Sequence, residues 1–188
     1  MPIITFFLVR HGEAEQNVEN IMSSYPEQEM FHLTKKGRLQ VKTTAKFLAS
    51  MRIDVIFSSP LLRTRETAQI ISQTLGIPII FDERLVELGA GIFNDRPLEE
   101  FQKKYPDPIL RIAPDEKDGV ESIINMRGRL QNFLDSLKEK YAGKNVVIVS
   151  HGDPLEQLRG ILTEESPGRS ATGWMPEFGS YIKAEWKV

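Results

Sequence analysis

The sequence predicts an α/β protein, a three-layer α/β/α sandwich built around a mostly parallel sheet. Short segments rich in apolar and β-branched residues alternate with segments whose apolar residues recur every three or four positions. That alternation is typical of parallel strands joined by helices that cover both faces of the sheet. No repeat, low-complexity tract or linker interrupts the 188 residues. We therefore expect one domain over residues 1–188.

Five segments are predicted to be strands because they are short, apolar and bounded by polar or turn residues. They are residues 3–9, 54–57, 78–81, 146–149 and 181–186. The first is too short to be a secretion signal, and it lacks the basic flank and cleavage site of one. Nothing later reaches the length of a membrane span. We expect a cytoplasmic protein without membrane contact.

Four helices are predicted from apolar residues that share one face. Two helix starts are marked by a capping residue before a proline, at Ser59-Pro60 and at Asp153-Pro154, which suits the N-cap and N1 positions. The helical faces are Val41, Ala45, Leu48 and Met51; Leu61, Ala68, Ile71 and Leu75, ended by Gly76; Ile123, Leu130, Leu134, Leu137 and Tyr141, ended by Gly143; and residues 154–161.

Two long stretches, residues 12–33 and 88–119, show neither a strand pattern nor a helix pattern. Structureless loops of that length are uncommon in a compact domain, and they tend to be lids or binding loops. We therefore expect two loop insertions that contribute to a binding site.

Composition excludes several classes of function. The chain is 40% hydrophobic and 27% charged with a net charge of −2, which gives no field that attracts nucleic acid or an anionic membrane. It has no cysteine, so disulfides, thiol catalysis and thiolate zinc sites are ruled out. It also has no Walker loop and no histidine pair at metal-ligand spacing. We expect neither a metal nor another cofactor.

Two of the three histidines follow a predicted strand directly and precede a glycine. They are His11, after the first strand, and His151, after the fourth. One such His-Gly pair is most simply a turn. Two of them lie at the same sheet edge, because the carboxyl ends of parallel strands meet there and ligands bind beside that edge. We therefore expect a shared site, and we expect the remaining histidine, His32, to be an ordinary loop residue.

The second predicted strand ends at the same edge and leads into a helix that begins near Ser59. Arg63 lies in the first turn of that helix, where a cation is disfavoured by the helix dipole and an anionic ligand would explain it. Arg65 is expected to be a solvated surface residue. The third strand leads into acidic residues between 82 and 87, and spacing alone does not choose among them.

At this point the sequence resembles the histidine phosphatase superfamily, which includes the cofactor-dependent phosphoglycerate mutases and many small phosphatases. The resemblance covers residues 3–152 in the family's order. Residues 163–176 match no motif, and residues 89–95 and Asp118 depart from the family pattern. The matching motifs are Leu8-Val9-Arg10-His11-Gly12-Glu13 with Asn17, Leu33-Thr34 with Gly37 and Gln40, Ser58-Ser59-Pro60-Leu61-Leu62-Arg63-Thr64, Leu85-Val86-Glu87, Gly119-Val120-Glu121-Ser122, and Val149-Ser150-His151-Gly152.

The resemblance implies a phosphoglycerate mutase-like fold and a phosphatase that passes the phosphoryl group through His11. It implies that His11 attacks in its neutral form and that a protonated His151 donates to a phosphoryl oxygen. Glu87 would be the general acid, with Glu83 as the alternative. Glu13, Glu121 and Ser122 would support the loops. The residues that would bind the phosphate are Arg10, Asn17, Arg63, His151 and Gly152.

Three functions remain open from the sequence. The favoured one is a phosphatase for a small phosphomonoester, with a small phosphorylated substrate as its only expected partner. The second is a 2,3-bisphosphoglycerate-dependent phosphoglycerate mutase, although such relatives are longer. The third is a non-catalytic phosphate-binding regulatory module, whose hallmark would be loss of His11, an arginine or the acid. Homodimer formation is left open.

Overall fold

The structure is a computed structural model that describes residues 2–172 and 175–188. It confirms the three-layer α/β/α sandwich. A five-stranded sheet has the order β4-β3-β6-β1-β7, and only β7 is antiparallel to its neighbour. The elements are β1 (Ile3–Arg10), α1 (Glu15–Glu19), β2 (Ile21–Met22), α2 (Lys35–Leu48), β3 (Val55–Ser58), α3 (Leu62–Leu75), β4 (Ile79–Phe81), β5 (Arg96–Pro97), α4 (Leu98–Lys104), α5 (Ile123–Asp135), β6 (Asn145–Ser150), α6 (Gly152–Leu162), α7 (Pro167–Ser170) and β7 (Tyr181–Lys187).

The central strands send alternate side chains to opposite faces of the sheet, which produces two separate cores. In β1, Phe6 and Leu8 pack on the face covered by α5 and α6, whereas Phe7 and Val9 pack on the face covered by α2 and α3. The buried strands therefore read as continuous apolar runs, as parallel strands covered on both faces should.

Register brings three strand ends to one level. Arg10 is paired with Ser150 between β1 and β6, and Ser58 is paired with Val149 between β3 and β6. The residues that follow these strands, among them His11 and His151, therefore emerge side by side at the carboxyl edge of the sheet.

The N-cap residues predicted from the Ser-Pro and Asp-Pro pairs are wrong, because both helices have other residues at that position. The N-cap of α3 is Leu61 rather than Ser59. The Glu27 carboxylate binds the Leu62 N–H, and Ser59 Oγ lies 2.9 Å from His151 Nε2 while it accepts only a long bond, 3.4 Å, from the Leu61 N–H. The N-cap of α6 is His151, which leaves Asp153 inside the first turn. In both places a long-range contact takes the polar group that a local rule assigned to capping.

The third predicted helix is shorter than its apolar spacing indicates. Helix α5 ends at Asp135, and residues 136–143 form successive turns. Ser136 Oγ donates to the Phe133 carbonyl at 2.6 Å, a local bond that competes with continuation of the helix. Leu137 and Tyr141 nevertheless pack against the core, so the apolar spacing marks burial and not helix.

The stretches 12–33 and 88–119 are joined to each other. Strand β2 pairs with β5 in a small antiparallel sheet, and the Asn94 side chain accepts bonds from the backbone and the hydroxyl of Ser24. The joined segments contribute walls to a cavity at the carboxyl edge of the main sheet. Within residues 2–172 and 175–188, no helix is both long enough and apolar enough to cross a membrane.

Candidate active site

A cavity of about 390 Å³ opens at the carboxyl ends of the strands, where the sequence predicts the site. Six of the seven predicted site residues line it, and the seventh, His151, lies directly behind with its ring centroid 5.3 Å from that of His11. The six lining residues are Arg10, His11, Asn17, Arg63, Glu87 and Gly152.

The His11 ring is held in one tautomer. Its Nδ1 lies 2.8 Å from the Gly12 carbonyl oxygen, which only accepts, so Nδ1 carries the hydrogen and Nε2 keeps its lone pair. His11 is buried, and burial together with the charges of Arg63 and Arg10 holds its pKa well below the ordinary value. The imidazole is therefore neutral and nucleophilic at Nε2 at neutral pH.

The loop after His11 needs glycine at two positions because backbones approach closely there. A Cβ on Gly12 would lie 2.6 Å from the Gly37 carbonyl oxygen, and a Cβ on Gly37 would meet the Glu13 carbonyl oxygen at 2.0 Å. The Gly12 N–H donates to Thr67 Oγ1 at 3.1 Å. The start of α2 and the side of α3 thereby hold the His11 loop in place.

His151 is fully buried beside His11. Its Nε2 lies 2.9 Å from Ser59 Oγ, and its Nδ1 has no hydrogen-bond partner in the described part of the chain. Burial, followed by the charge of Arg63, keeps its pKa well below the ordinary value. Burial and the neighbouring cations therefore favour the neutral ring, whereas the resemblance implies a protonated His151.

Arg10 is held by the segment that precedes β7. Its Nη1 donates to the Pro176 carbonyl at 2.8 Å, and its guanidinium carbon lies 3.9 Å from the centroid of the Phe178 ring. The same ring lies 5.6 Å from the ring of His11. The Gly179 N–H donates to the His11 carbonyl at 2.9 Å, which joins this segment to the loop after β1.

Arg63 is buried, and two of its nitrogens are bound by the 12–33 segment. Nη2 donates to the Ser23 carbonyl at 2.9 Å, and Nη1 lies 3.5 Å from the Glu27 carboxylate. The other oxygen of Glu27 accepts the Leu62 N–H at 2.8 Å. Arg63 Nε is buried and has no partner among the described residues. Glu27 therefore occupies the helix terminus that the sequence assigned to an anionic ligand.

Asn17 lines the cavity from the first turn of α1. Its Oδ1 accepts the Ala14 N–H at 3.0 Å, which identifies the amide oxygen and leaves Nδ2 as its donor. Gly152, the first residue of α6, adds a backbone N–H at a helix N-terminus. A Cβ on Gly152 would lie 2.7 Å from the sulfur of Met175, so a larger residue there requires the Met175 side chain to shift.

Glu87 lines the cavity and Glu83 does not. The exposed Glu83 carboxylate lies 3.4 Å from the Tyr25 hydroxyl, outside the cavity. Burial, with a contribution from the charge of Asp153, raises the pKa of Glu87 to about 7, against the opposing effect of Arg63 and Arg10. A carboxyl group with that pKa exchanges a proton readily at neutral pH.

The comparisons with known proteins agree with this geometry. A sequence profile described as "Histidine phosphatase superfamily (branch 1)" matches residues 6–179, which is most of the chain. The chain belongs to the histidine phosphatase superfamily.

Three relatives show how far the similarity extends. Phosphoserine phosphatase 1 of Hydrogenobacter thermophilus is 30% identical over 160 residues, which are 83% of this chain and 74% of that protein. Probable phosphoglycerate mutase GpmB of Escherichia fergusonii is 32% identical over 154 residues, which are 80% of this chain and 70% of that protein. The solved structure of Bacillus stearothermophilus YhfR has a TM-score of 0.82 at 27% identity, covering 96% of this chain and 90% of that one.

In this histidine phosphatase, the loop of Glu87 is held from behind by an ion pair. Arg129 binds Glu121 through two nitrogens, at 2.8 and 2.9 Å, and donates to the Arg84 and Glu87 carbonyls. Glu121 also accepts the Gly89 N–H at 3.1 Å. The support predicted for Glu121 is present. Ser122 caps α5 and Glu13 binds Thr34 and Lys36, in keeping with their predicted structural roles.

Sequence reasoning missed two features of the site. Phe178 lies beyond the last matched motif, and the signal that marks it is an aromatic residue before the glycine that precedes the last strand. The second is the ion pair between Arg111 and Asp153, whose atoms Nη1 and Oδ2 are 2.5 Å apart in the cavity wall. Asp153 was assigned only to capping, and Arg111 lay in an unassigned stretch.

His32 and Arg65 lie on the surface, as predicted. His32 pairs with Glu66 at 2.9 Å, and Arg65 stacks over Phe81. Within residues 2–172 and 175–188, no cluster of histidine, aspartate and glutamate has the arrangement of a metal site.

Proposed function

We propose that this chain is a phosphatase that hydrolyses a small phosphomonoester through a phosphohistidine on His11. The observation that carries the proposal is the state of His11. Its Nδ1 is bound to a carbonyl, its pKa is low, and the ring lies in a cavity lined by Arg10 and Arg63. Membership of the family and phosphatase relatives support the same reaction class, phosphoric monoester hydrolysis.

In the first step, the Nε2 lone pair of His11 attacks phosphorus and forms a P–N bond as the ester P–O bond breaks. The departing alcohol oxygen takes the proton of Glu87, which becomes a carboxylate. The transition state spreads negative charge over three equatorial oxygens, so its stabilisation is mainly electrostatic. Division of hydrolysis into two transfers lowers the barrier of each.

The cations and N–H donors around His11 stabilise the negative charge on these oxygens. Arg10 and Arg63 keep their charge and offer planar donors that match phosphate oxygens. Asn17 Nδ2 and the Gly152 N–H add neutral donors. A bound dianion raises the pKa of the neighbouring His151, which takes up a proton, keeps it and donates a hydrogen bond to a phosphoryl oxygen.

In the second step, the Glu87 carboxylate removes a proton from water as the water oxygen attacks phosphorus. The P–N bond breaks, inorganic phosphate leaves, and His11 and the protonated Glu87 are regenerated. Side-chain cations meet the negative charge, so we propose a reaction that proceeds without a metal or another cofactor.

The test is a panel of phosphate esters assayed in excess chelator for release of inorganic phosphate. The phosphatase predicts release that His11→Ala abolishes. Isomerisation of 3-phosphoglycerate that requires 2,3-bisphosphoglycerate, with little phosphate release, would instead establish the mutase that the GpmB relative suggests. Phosphate binding without turnover would establish a non-catalytic module.

The proposal also covers organisation and location. We assign residues 1–188 to one catalytic domain in which the segments 12–33 and 88–119 shape the cavity. The absence of cysteine suits the reducing cytoplasm. The proposed partners include a small phosphorylated substrate and exclude nucleic acid and membranes. Size-exclusion chromatography with light scattering distinguishes a monomer from a homodimer.

A further inference from the structure

One wall of the cavity is separate from the groups assigned to phosphoryl transfer. We call it the 98–111 wall, after the part of the second insertion that forms it. It is stiffened by ring contacts between Phe101 and Tyr105, whose centroids are 5.3 Å apart, and by the bond from the Tyr105 hydroxyl to Asp118 at 2.7 Å. Its residues are Leu98, Phe101, Gln102, Tyr105, Pro106, Pro108 and Arg111.

The 98–111 wall is apolar apart from Gln102 and Arg111, and the charge of Arg111 is neutralised locally. Its Nη1 lies 2.5 Å from Oδ2 of Asp153, and the two side chains are only 9% and 13% exposed. A buried ion pair at this distance presents little net charge to a ligand. Separation of the pair would leave a desolvated charge on each side, which is strongly unfavourable.

In the proposed reaction Arg10, Arg63 and His11 hold the phosphoryl group at one end of the cavity, and the 98–111 wall is then available to the alcohol portion of the substrate. An additional carboxylate there would be attracted by Arg111 and repelled by Asp153, while it loses its hydration. An additional ammonium group would meet the same balance with the signs reversed. An uncharged, largely apolar alcohol has no charged group to desolvate, and its apolar surface is buried against the wall.

We propose that the Arg111–Asp153 pair is a specificity device that restricts the alcohol portion of the substrate to uncharged groups. The inference rests on the proposed phosphatase function and deepens it. It makes phosphomonoesters of uncharged apolar or aromatic alcohols the substrate class, and carboxylated esters poor substrates. Asp153 is what prevents Arg111 from binding a carboxylate.

The test uses three aryl phosphates of similar shape: phenyl, 4-carboxyphenyl and 4-(aminomethyl)phenyl phosphate. Wild-type enzyme should show kcat/KM at least about tenfold higher for the phenyl ester than for either charged ester. Asp153→Asn should raise the ratio of carboxylated to phenyl ester by about tenfold or more, because Arg111 is then free to bind the carboxylate. Arg111→Gln should instead raise the ratio of aminomethyl to phenyl ester, because Asp153 is then free to bind the ammonium group.

The matched control is the double variant Arg111→Gln/Asp153→Asn, which removes both charges and keeps similar shapes. Its carboxylated-to-phenyl ratio should return to within about threefold of wild type, since a single unpaired charge produces the switch. Competitive inhibition by phenylphosphonate and 4-carboxyphenylphosphonate repeats the comparison without chemistry. Both phosphonates bind beside the same Glu87, so the ratio of their inhibition constants cancels an effect of Asp153 on the protonation of Glu87.

Several results would overturn the inference. One is a wild-type preference for the carboxylated ester. The others are a carboxylated-to-phenyl ratio that does not change in Asp153→Asn, or a double variant whose ratio stays as high as in Asp153→Asn. Faster turnover of phosphoserine than of ethyl phosphate would show that a zwitterion opens the ion pair. If Asp153→Asn does not fold, the wild-type ratios and Arg111→Gln still test the idea. Loss of turnover for every ester would count against the phosphatase itself, whereas turnover with unmoved ratios would count only against this inference.

Discussion

The guanidinium group of Arg10 stacks on the ring of Phe178, with 3.9 Å between the guanidinium carbon and the ring centroid. Arg10 is mostly buried, and burial lowers its pKa while Glu87 opposes that effect. The contact therefore orients a cation that faces the cavity. It comes from residues 168 positions apart, and it is made by the segment that precedes the last strand.

The first prediction concerns this contact. Phe178→Leu should raise KM for a phosphate ester about three- to tenfold, because loss of a cation–π contact frees the guanidinium. Phe178→Tyr keeps the ring and serves as the control. Steady-state kinetics with thermal melting would separate the effects, since a merely structural role would lower Tm and leave KM unchanged in the Leu variant.

The second prediction concerns the nucleophile. His11→Ala should abolish turnover of an aryl phosphate and formation of an acid-labile, base-stable phosphoenzyme, while the fold is kept. His32→Ala is the matched control, because His32 is exposed and lies outside the cavity. Radiolabelling from a phosphorylated substrate measures the intermediate directly. Turnover by the His11 variant near the wild-type rate would mean that water attacks phosphorus without a covalent step.

The third prediction concerns the arginine fork. Arg63→Lys should lower kcat/KM by at least about a hundredfold, because a point charge reproduces neither the planar donors nor the bond to the Ser23 carbonyl. Arg65→Lys is the control on the same helix, since Arg65 is exposed and lies outside this cavity. A loss of less than about threefold in Arg63→Lys would indicate that charge alone is needed there.

The fourth prediction concerns the general acid. Glu87→Gln should slow phosphoryl transfer to His11 about 10²–10⁴-fold for an alkyl phosphate, because an alkoxide leaves poorly without a proton. A nitrophenyl ester should slow much less. The measurement is a single-turnover burst, since the second step also needs Glu87. Equal losses for both esters, or a larger loss in the control Glu83→Gln, would place the acid elsewhere.

The fifth prediction follows from the pKa of Glu87, which burial and Asp153 raise to about 7. The acid is protonated below that pH, so transfer from an alkyl ester should fall about tenfold per pH unit above it. The pKa of His11 is far lower, so the nucleophile stays neutral throughout this range. Asp153→Asn removes a charge that raises the pKa of Glu87, so the descending limb should move to lower pH.

The control for the pH profile is the nitrophenyl ester in the same single-turnover experiment. Its transfer step needs little help from the acid, so its rate should remain nearly level across neutral pH. If the pH at which the alkyl-ester rate begins to fall is the same in Asp153→Asn as in the wild type, the decrease reports the titration of a group other than Glu87.

Much of this protein is determined by local sequence alone. Alternating apolar segments predict the layered sheet, because burial on both faces requires continuous apolar strands. His11 and His151 are predicted to share a site since each follows a parallel strand, and parallel strands end at one edge. The order of the motifs indicates the family before any contact is known.

Tertiary structure decided what depends on residues distant in the chain. Glu27 binds the Leu62 N–H at the start of α3, where the sequence predicts a local cap. Asp153 pairs with Arg111 instead of capping α6, and Phe178, near the end of the sequence, stacks on Arg10. The protonation of Glu87 and of both site histidines is likewise set by burial and by neighbouring charges. Local patterns report backbone preference and burial, whereas desolvation and ion pairing arise only when the chain has folded.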